Sequence, residues 1–572
     1  MRTKNFCCVF AVLFLLIIYT SCSYASFVPD ENIIPVRMIK PGMNGYVLTV
    51  IKGYDRVKLP VKIISISPNK PGIELTDEIL IQFTGPHKLS QGMSGSPLYI
   101  NGKLAGAIRS GWNNTTQKFA LVTPIESMMK IFDYHDERSN RNHEVFTDIF
   151  TLSGLNINTP SVKDMLNSLG INAVQGISSS GRTSSLNDTD ILRPGDSISA
   201  LLVWGDIELG AVGTVTATDR QGRFIAFGHS MLKRGNASYM AARTFIHDTI
   251  ESYEFPFKLA SAEEIVGSIT QDREAGIAGR FAYYAQSIPA SLVFRDLDAK
   301  TERKFNFRVA ADEFMSHKLL EGVCKSLTEE AWGRKGQGTM RVNIRIEGRN
   351  VPKGWSRSEI FFSEDNIISS AFAQAVKIIN AYLTQPFSET MPVGFTLTVE
   401  ATQQPKVLVI EDIETVKSAN AGEEIEVTVK LREWRKGIIE RKFNMTIPES
   451  ASGVTELIVR GGSSEPLSPV SIEEGLMSIN SLERMLTELK AIDANNELII
   501  ELNNDNLSEA LKKAMKKKHN RNSDHEPDLL PEEEEFLSET KTRRIKEGTL
   551  KIYSTEYFID GMMKRLINVH ND

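Results

Sequence analysis

Between about residues 30 and 135 the apolar residues fall into five short runs: Val47 to Val50, Val61 to Ile66, Ile79 to Phe83, Leu98 to Ile100 and Leu104 to Ile108. Gly, Pro, Asn and Asp punctuate the gaps between them. Short apolar or alternating segments closed by turn residues read as strands. Asn101-Gly102, between Tyr99-Ile100 and Lys103-Leu104, is the strongest hairpin signal in the chain, because both residues tolerate the positive φ that a two-residue loop demands. Pro124 to Phe132 reads as a short helix. Many short strands with regular turns imply a barrel or a sandwich.

The same pattern recurs downstream. A Ser-rich connector near Ser178 to Asp190 opens the 145–330 segment, and the runs Ser197 to Trp204, Ala211 to Thr218 and Arg223 to Phe227 follow, with Asp219 to Gly222 as a turn. Segment 335–400 holds strands (Met340 to Ile346, Thr396 to Val399) and an apolar helical run near Ala371 to Leu383. In 404–462 the alternating stretches Lys406 to Ile410, Glu423 to Leu431 and Lys442 to Ile447 resemble a small β-sandwich. Segment 465–572 carries a helix near Ile472 to Ile492, a basic run (Lys512 to Arg521), an acidic run (Glu532 to Glu535) and a last strand from Thr549 to Phe558. Charge blocks of this kind are solvated and read as a flexible insertion. The fold class is mainly β, and 572 residues call for two to four units.

Lys plus Arg is 66 and Asp plus Glu is 72. Nucleic-acid binders carry a basic footprint that this balance lacks. Arg2 and Lys4 precede the apolar run Phe6 to Tyr19, and Ser23 and Ala25 form a small-x-small pair. That is the plan of a secretory signal over residues 1–25, cleaved after Ala25; an uncleaved anchor or lipid attachment at Cys22 are the alternatives. Membrane contact is expected only through this signal or lipid. The reading is therefore an exported chain, bound for periplasm, envelope or medium. Of the four cysteines, Cys7, Cys8 and Cys22 leave with the signal. Cys324 alone remains, so no internal disulfide forms, and no Cys/His set has zinc spacing. No metal or cofactor motif is present: no Walker A loop, no G-x-G-x-x-G after a strand, no H-E-x-x-H.

Two motifs carry chemistry. In Gln91-Gly92-Met93-Ser94-Gly95-Ser96-Pro97 the glycines permit a tight backbone that exposes the Ser94 hydroxyl and aims successive N–H groups at one point. The N–H groups of Gly92 and Ser94 are the candidate oxyanion donors for acyl transfer. Phe227-Gly228-His229-Ser230-Met231 closes the apolar strand Phe224 to Phe227, and His229 there is the candidate base for the Ser94 proton. The bland alternatives are a Gly/Ser turn and a structural histidine.

Taken together, the motifs resemble the SpoIVB family of serine peptidases, chymotrypsin-like enzymes of bacterial sporulation signalling, and its more distant bacterial relatives. The first block runs from Gly45 to Val50, through Gln91 to Pro97 and Tyr99 to Ala107, to Thr123 to Glu126. The second holds Gly213 to Thr216, Ala226 to His229, Gly267 to Asp272 and Gly276 to Gly279. The resemblance implies a double β-barrel, circularly rearranged, with Ser94 as nucleophile and His229 as general base. Here the Ser block precedes the His block, the reverse of the sporulation enzyme, and catalysis depends on geometry rather than chain order. The family's acidic residue stands in a Thr-Asp-Pro context, where this chain has Thr84-Gly85-Pro86. Asp77, Glu74 and Asp219 are the candidate orienting acids, and spacing selects none. A Ser-His dyad, a triad with another acid and an inactive peptidase fold all stay open. No PDZ domain is evident, so a role in sporulation does not transfer. The implied activity is an exported serine endopeptidase acting on a protein, or on its own chain; the alternative is a non-catalytic binding or assembly factor of the envelope.

Overall fold

A computed structural model describes residues 26–67, 77–134, 149–178, 191–387, 392–462, 479–503 and 537–570, apart from Tyr253, Phe255 and Glu313. The signal segment, Glu74, most of the Ser-rich connector, the two charge blocks and the start of the helix expected from Ile472 lie outside the described residues. The chain is mainly β and divides into two compact units: Met1–Ser153, Gly170–Leu202 and Glu208–Gln286 form the first, and Gly154–Leu169, Val203–Ile207 and Ser287–Asp572 the second. The division after Gln286 falls inside the 145–330 segment.

In the first unit β1 (Asn44–Val50), β2 (Arg56–Ser67), β3 (Glu78–Phe83), β4 (Pro97–Ile100), β5 (Lys103–Ser110) and β6 (Phe119–Pro124) form a closed barrel in the order β1-β2-β3-β6-β5-β4. Tyr46 and Val47 pair with Tyr99 and Leu98 to close it. Alternate residues point inward, so Leu59, Val61 and Ile63 of β2 meet Ile79 and Ile81 of β3 in one core. All five expected strands are present, and Asn101 and Gly102 take φ of 50° and 72° at the expected hairpin. β6 has no counterpart among the expected strands; it runs into Pro124, the first residue of the expected helix, and α1 starts one residue later (Ile125–Met129).

The remaining strands of this unit are β7 (Ile149–Ser153), β8 (Asn172–Gln175), β9 (Ser197–Gly205), β10 (Glu208–Thr218), β11 (Arg223–Ala226), β12 (Gly235–Ile250), β13 (Phe257–Arg273) and β14 (Gly276–Phe281). They pair in the order β9-β12-β13-β14-β11-β10, and β10 also pairs with β9, which makes a ring of pairings. The β12–β13 hairpin shifts register at four places. Each such irregularity reverses which residues face inward, which erases the alternation that would have revealed these strands in the sequence.

In the second unit β15 (Ser287–Asp296), β16 (Thr301–Ala310), β17 (Gly338–Gly348), β18 (Ser356–Ser363) and β19 (Pro392–Thr402) pair in the order β18-β17-β19-β15-β16. The helix expected near Ala371 to Leu383 is present over Ile367–Thr384, and an unexpected one, Ser316–Trp332, buries Cys324. The last strands, from Val407 to His570, form a four-stranded and a five-stranded sheet around one core, in which Val427, Leu457, Ile500 and Ile567 all take part. The 404–462 and 465–572 segments thus share a core. The single strand expected over Thr549 to Phe558 is two, Leu550–Ser554 and Phe558–Asp560, in different sheets, because the Thr555 hydroxyl accepts the Tyr557 N–H and turns the chain between them.

Candidate active site

Ser94 lies on the loop that leads into β4, half-buried, between Gly92 (φ 88°) and Gly95 (φ 89°). Those positive φ values are open to glycine and strained for other residues. The loop is fastened through its carbonyls. Gln91 O accepts the Lys258 N–H at 3.0 Å, Met93 O accepts the Ser96 N–H at 2.9 Å and Ser94 O accepts the Thr214 N–H at 2.8 Å. Gly92 O and Gly95 O accept the hydroxyls of Thr214 and Thr216 at 3.0 and 2.7 Å.

The amides divide differently. Gln91 N–H donates to Pro256 O, Met93 N–H to Ser90 O and Gly95 N–H to Ile108 O. Among the described residues the N–H groups of Gly92 and Ser94 have no acceptor. In a trans peptide the C=O and the following N–H point in opposite directions. Holding Gln91 O and Met93 O therefore turns the Gly92 and Ser94 N–H groups away from the framework. These are the two donors expected from the sequence. Stabilising a developing oxyanion requires N–H donors that are free of other partners and converge on one point, and these two N–H groups meet the first condition.

The His229 motif reaches the same place. A Cβ on Gly95 would stand 2.1 Å from Thr214 O and 2.3 Å from Phe227 N, and one on Gly228 would stand 2.5 Å from Ile108 O, the oxygen that Gly95 N–H bonds. The Ser94 and His229 segments are thus in backbone contact, which only glycine permits at these positions. Thr123 Oγ1 donates to Gly228 O at 2.5 Å. His229 is 9% exposed. Its Nδ1 lies 2.8 Å from Ser230 O, and a carbonyl can only accept, so Nδ1 carries a proton. No hydrogen bond joins Ser94 Oγ to His229 in this structure; such bonds are often loose before substrate binds.

The candidate acids separate. Asp219 holds its own turn: Oδ1 accepts the N–H groups of Gln221 and Arg223 at 2.9 Å, and Oδ2 pairs with Arg223 Nε at 2.6 Å. Its carboxylate is committed there rather than to His229. Asp77 is half-buried directly before β3, and Glu74 lies outside the described residues. Gly85 packs against Pro60, whose Cγ a Cβ would meet at 3.3 Å.

Three supporting groups escaped the sequence reading. Asp272, 1% exposed, accepts the N–H of Met231 at 2.8 Å, of Leu232 at 2.7 Å and of Arg234 at 3.3 Å, and so anchors the chain that follows His229. It stands in the Gly267 to Asp272 stretch, which was the signal available. Thr214 and Thr216 stand in the Gly213 to Thr216 stretch. Lys258 is 2% exposed; its Nζ donates to Thr49 Oγ1 at 3.0 Å, and burial pushes its amine down to about 7. Nothing in the sequence marks that lysine as buried. No cluster of metal-ligating side chains occurs among the described residues.

No protein-family model, no curated protein and no solved structure matches the chain.

Proposed function

We propose that the chain is an exported serine endopeptidase of the SpoIVB type, with a double barrel in which the serine half comes first. The ring of pairings from β9 to β14 is read as the second barrel, circularly rearranged relative to the sporulation enzyme. Ser94 Oγ attacks a peptide carbonyl, its proton passes to His229 Nε2, and the oxyanion sits on the N–H groups of Gly92 and Ser94. Collapse breaks the C–N bond, the leaving amine takes the proton from His229, and water then releases the acyl group by the same route. The observation that carries this reading is the loop whose carbonyls are all held and whose two unpartnered N–H groups are the two required. The Ser230 carbonyl at Nδ1 fixes the ring tautomer, a task that a carboxylate performs in a full triad. Export rests on the signal-like residues 1–25, and a protein or peptide is the substrate.

A second reading has its own support. Gly85 stands where the family has its acid, and Ser94 Oγ is not bonded to His229; both suit an inactive peptidase fold that binds or assembles envelope proteins. Fluorophosphonate labelling separates the two. Labelling of the folded protein at neutral pH that disappears in Ser94→Ala and falls at least about 10³-fold in His229→Ala supports the peptidase. Folded wild-type protein that does not label favours the binding protein.

A further inference from the structure

Lys258 is the most deeply buried basic side chain beside the candidate site, and the reaction proposed above does not use it. Burying a lysine amine is costly, and a methionine of the same length would pack its stem without that cost. Among the described residues its Nζ has one hydrogen-bond partner, Thr49 Oγ1, and desolvation alone accounts for its depressed basicity. What the amine touches therefore bears on why it is there.

The stem lies against the Ser94 loop. A Cβ on Gly92 would meet Cδ, Cβ and Cγ of Lys258 at 3.0, 3.2 and 3.2 Å. Gln91 N–H bonds Pro256 O at 2.8 Å and Lys258 N–H bonds Gln91 O at 3.0 Å, so the start of β13 is stitched along the loop. At the tip, Thr49 Oγ1 also receives the Ser96 hydroxyl at 2.9 Å, Ser96 Oγ reaches Thr214 Oγ1 at 3.2 Å, and Thr214 Oγ1 donates to Gly92 O at 3.0 Å. Ser96 has one hydroxyl proton and two acceptors in reach. Thr49 Oγ1 has two lone pairs and accepts from both Lys258 Nζ and Ser96, and the Thr214 proton is committed to Gly92 O, so the four side chains form one continuous hydrogen-bonded chain from the amine to that carbonyl. Both peptides that flank Gly92 are thus tied to one residue.

We propose that Lys258 is a positioning residue for the candidate oxyanion loop: its backbone N–H holds the Gln91–Gly92 peptide, and its amine, through Thr49, Ser96 and Thr214, holds the Gly92 carbonyl. The proposal rests on the serine-peptidase reading for its catalytic consequence and not for its structural one.

The test is Lys258→Met in the full mature chain, which keeps the stem and removes the amine, with Thr214→Val as a second variant that breaks the same chain of hydroxyls. Three quantities are measured: amide hydrogen exchange of the peptide spanning residues 90–96, the saturating rate and half-saturating concentration for fluorophosphonate labelling of Ser94, and thermal stability. The expected result is faster exchange in both variants and a saturating rate about tenfold lower with the half-saturating concentration unchanged. Lys258→Met melts no lower than the wild type, a combination that lost packing cannot produce. Wild-type exchange and wild-type labelling in Lys258→Met would overturn the proposal. So would a loss of labelling as complete as that of Ser94→Ala, since that would make the amine part of the proton transfer itself. If the wild type does not label, the peptidase reading fails, and the exchange measurement still decides the role of Lys258.

Discussion

The carboxylate of Asp272 accepts the backbone N–H of Met231, two residues past His229, at 2.8 Å. The same carboxylate takes the N–H groups of Leu232 and Arg234, so one buried anion shapes the turn that delivers the histidine. Hydrogen bonds to a buried charge are worth more than neutral ones, and a lost partner leaves backbone donors unsatisfied. Asp272→Asn retains one acceptor oxygen and sets an NH₂ group against donors. We expect it to lower the unfolding free energy by about 2 kcal/mol and to slow Ser94 labelling at least about tenfold. Urea melts and labelling rates check both; an unchanged rate with lowered stability would confine Asp272 to a structural role.

β13 carries both Lys258, at the Ser94 loop, and Asp272, at the His229 turn. The convergence of the two segments is tested by contrasting two glycines of similar φ. Gly95 (φ 89°) leaves no room for a Cβ beside Thr214 O and Phe227 N, whereas Gly102 (φ 72°) has nothing within 4 Å. Gly102→Ala is expected to cost about 1 kcal/mol, from backbone strain alone. Gly95→Ala must push the two segments apart, and we expect it to abolish labelling and to lower the melting temperature by several times the Gly102→Ala shift. Parallel thermal melts decide; equal shifts would mean that the two segments do not meet as described.

The sequence was legible where physical signals are local. Alternation over Val61 to Ile66 and the Asn101-Gly102 turn specify the first barrel because each needs only neighbouring residues. β12 and β13 were invisible because irregular pairing breaks their period, although they are the longest strands of the unit. At the site, Gly92, Ser94 and His229 could be read from motifs, since glycine spacing carries backbone geometry. Lys258 could not, because an isolated lysine in a strand looks the same whether it faces solvent or core. Asp219 misled for the opposite reason: a carboxylate four residues before an arginine at a tight turn serves that turn first.

Cys324 gives a simple probe of the second unit. It is 1% exposed on the Ser316–Trp332 helix, and burial pushes its thiol well above the ordinary range. The thiolate is the reactive form, so the native protein is expected to resist iodoacetamide at pH 8 and to react with it once unfolded. Mass spectrometry of the peptide that contains Cys324 checks this at intervals across a denaturant series. Stoichiometric modification without denaturant would contradict the buried helix.

The depressed basicity of Lys258 predicts a pH-dependent stability whose sign can be worked out. The folded amine titrates at about 7 and the ordinary value is 10.5. Between those values the unfolded chain holds a proton that the folded chain lacks, so stability rises with pH across that window. Below pH 7 both states are protonated and the cost of burying the charge is fully present; above 10.5 both are neutral and it is gone. Other lysines and tyrosines also titrate here, so the informative quantity is the difference between Lys258→Met and the wild type. We expect the variant's advantage to be largest near pH 6 and to shrink between pH 7 and 10 by up to about 1.4 kcal/mol per pH unit. Urea melts of both proteins at half-unit steps measure it. A difference that stays constant across the window would mean that Lys258 carries its charge in the folded state, with a counter-charge or water at Nζ.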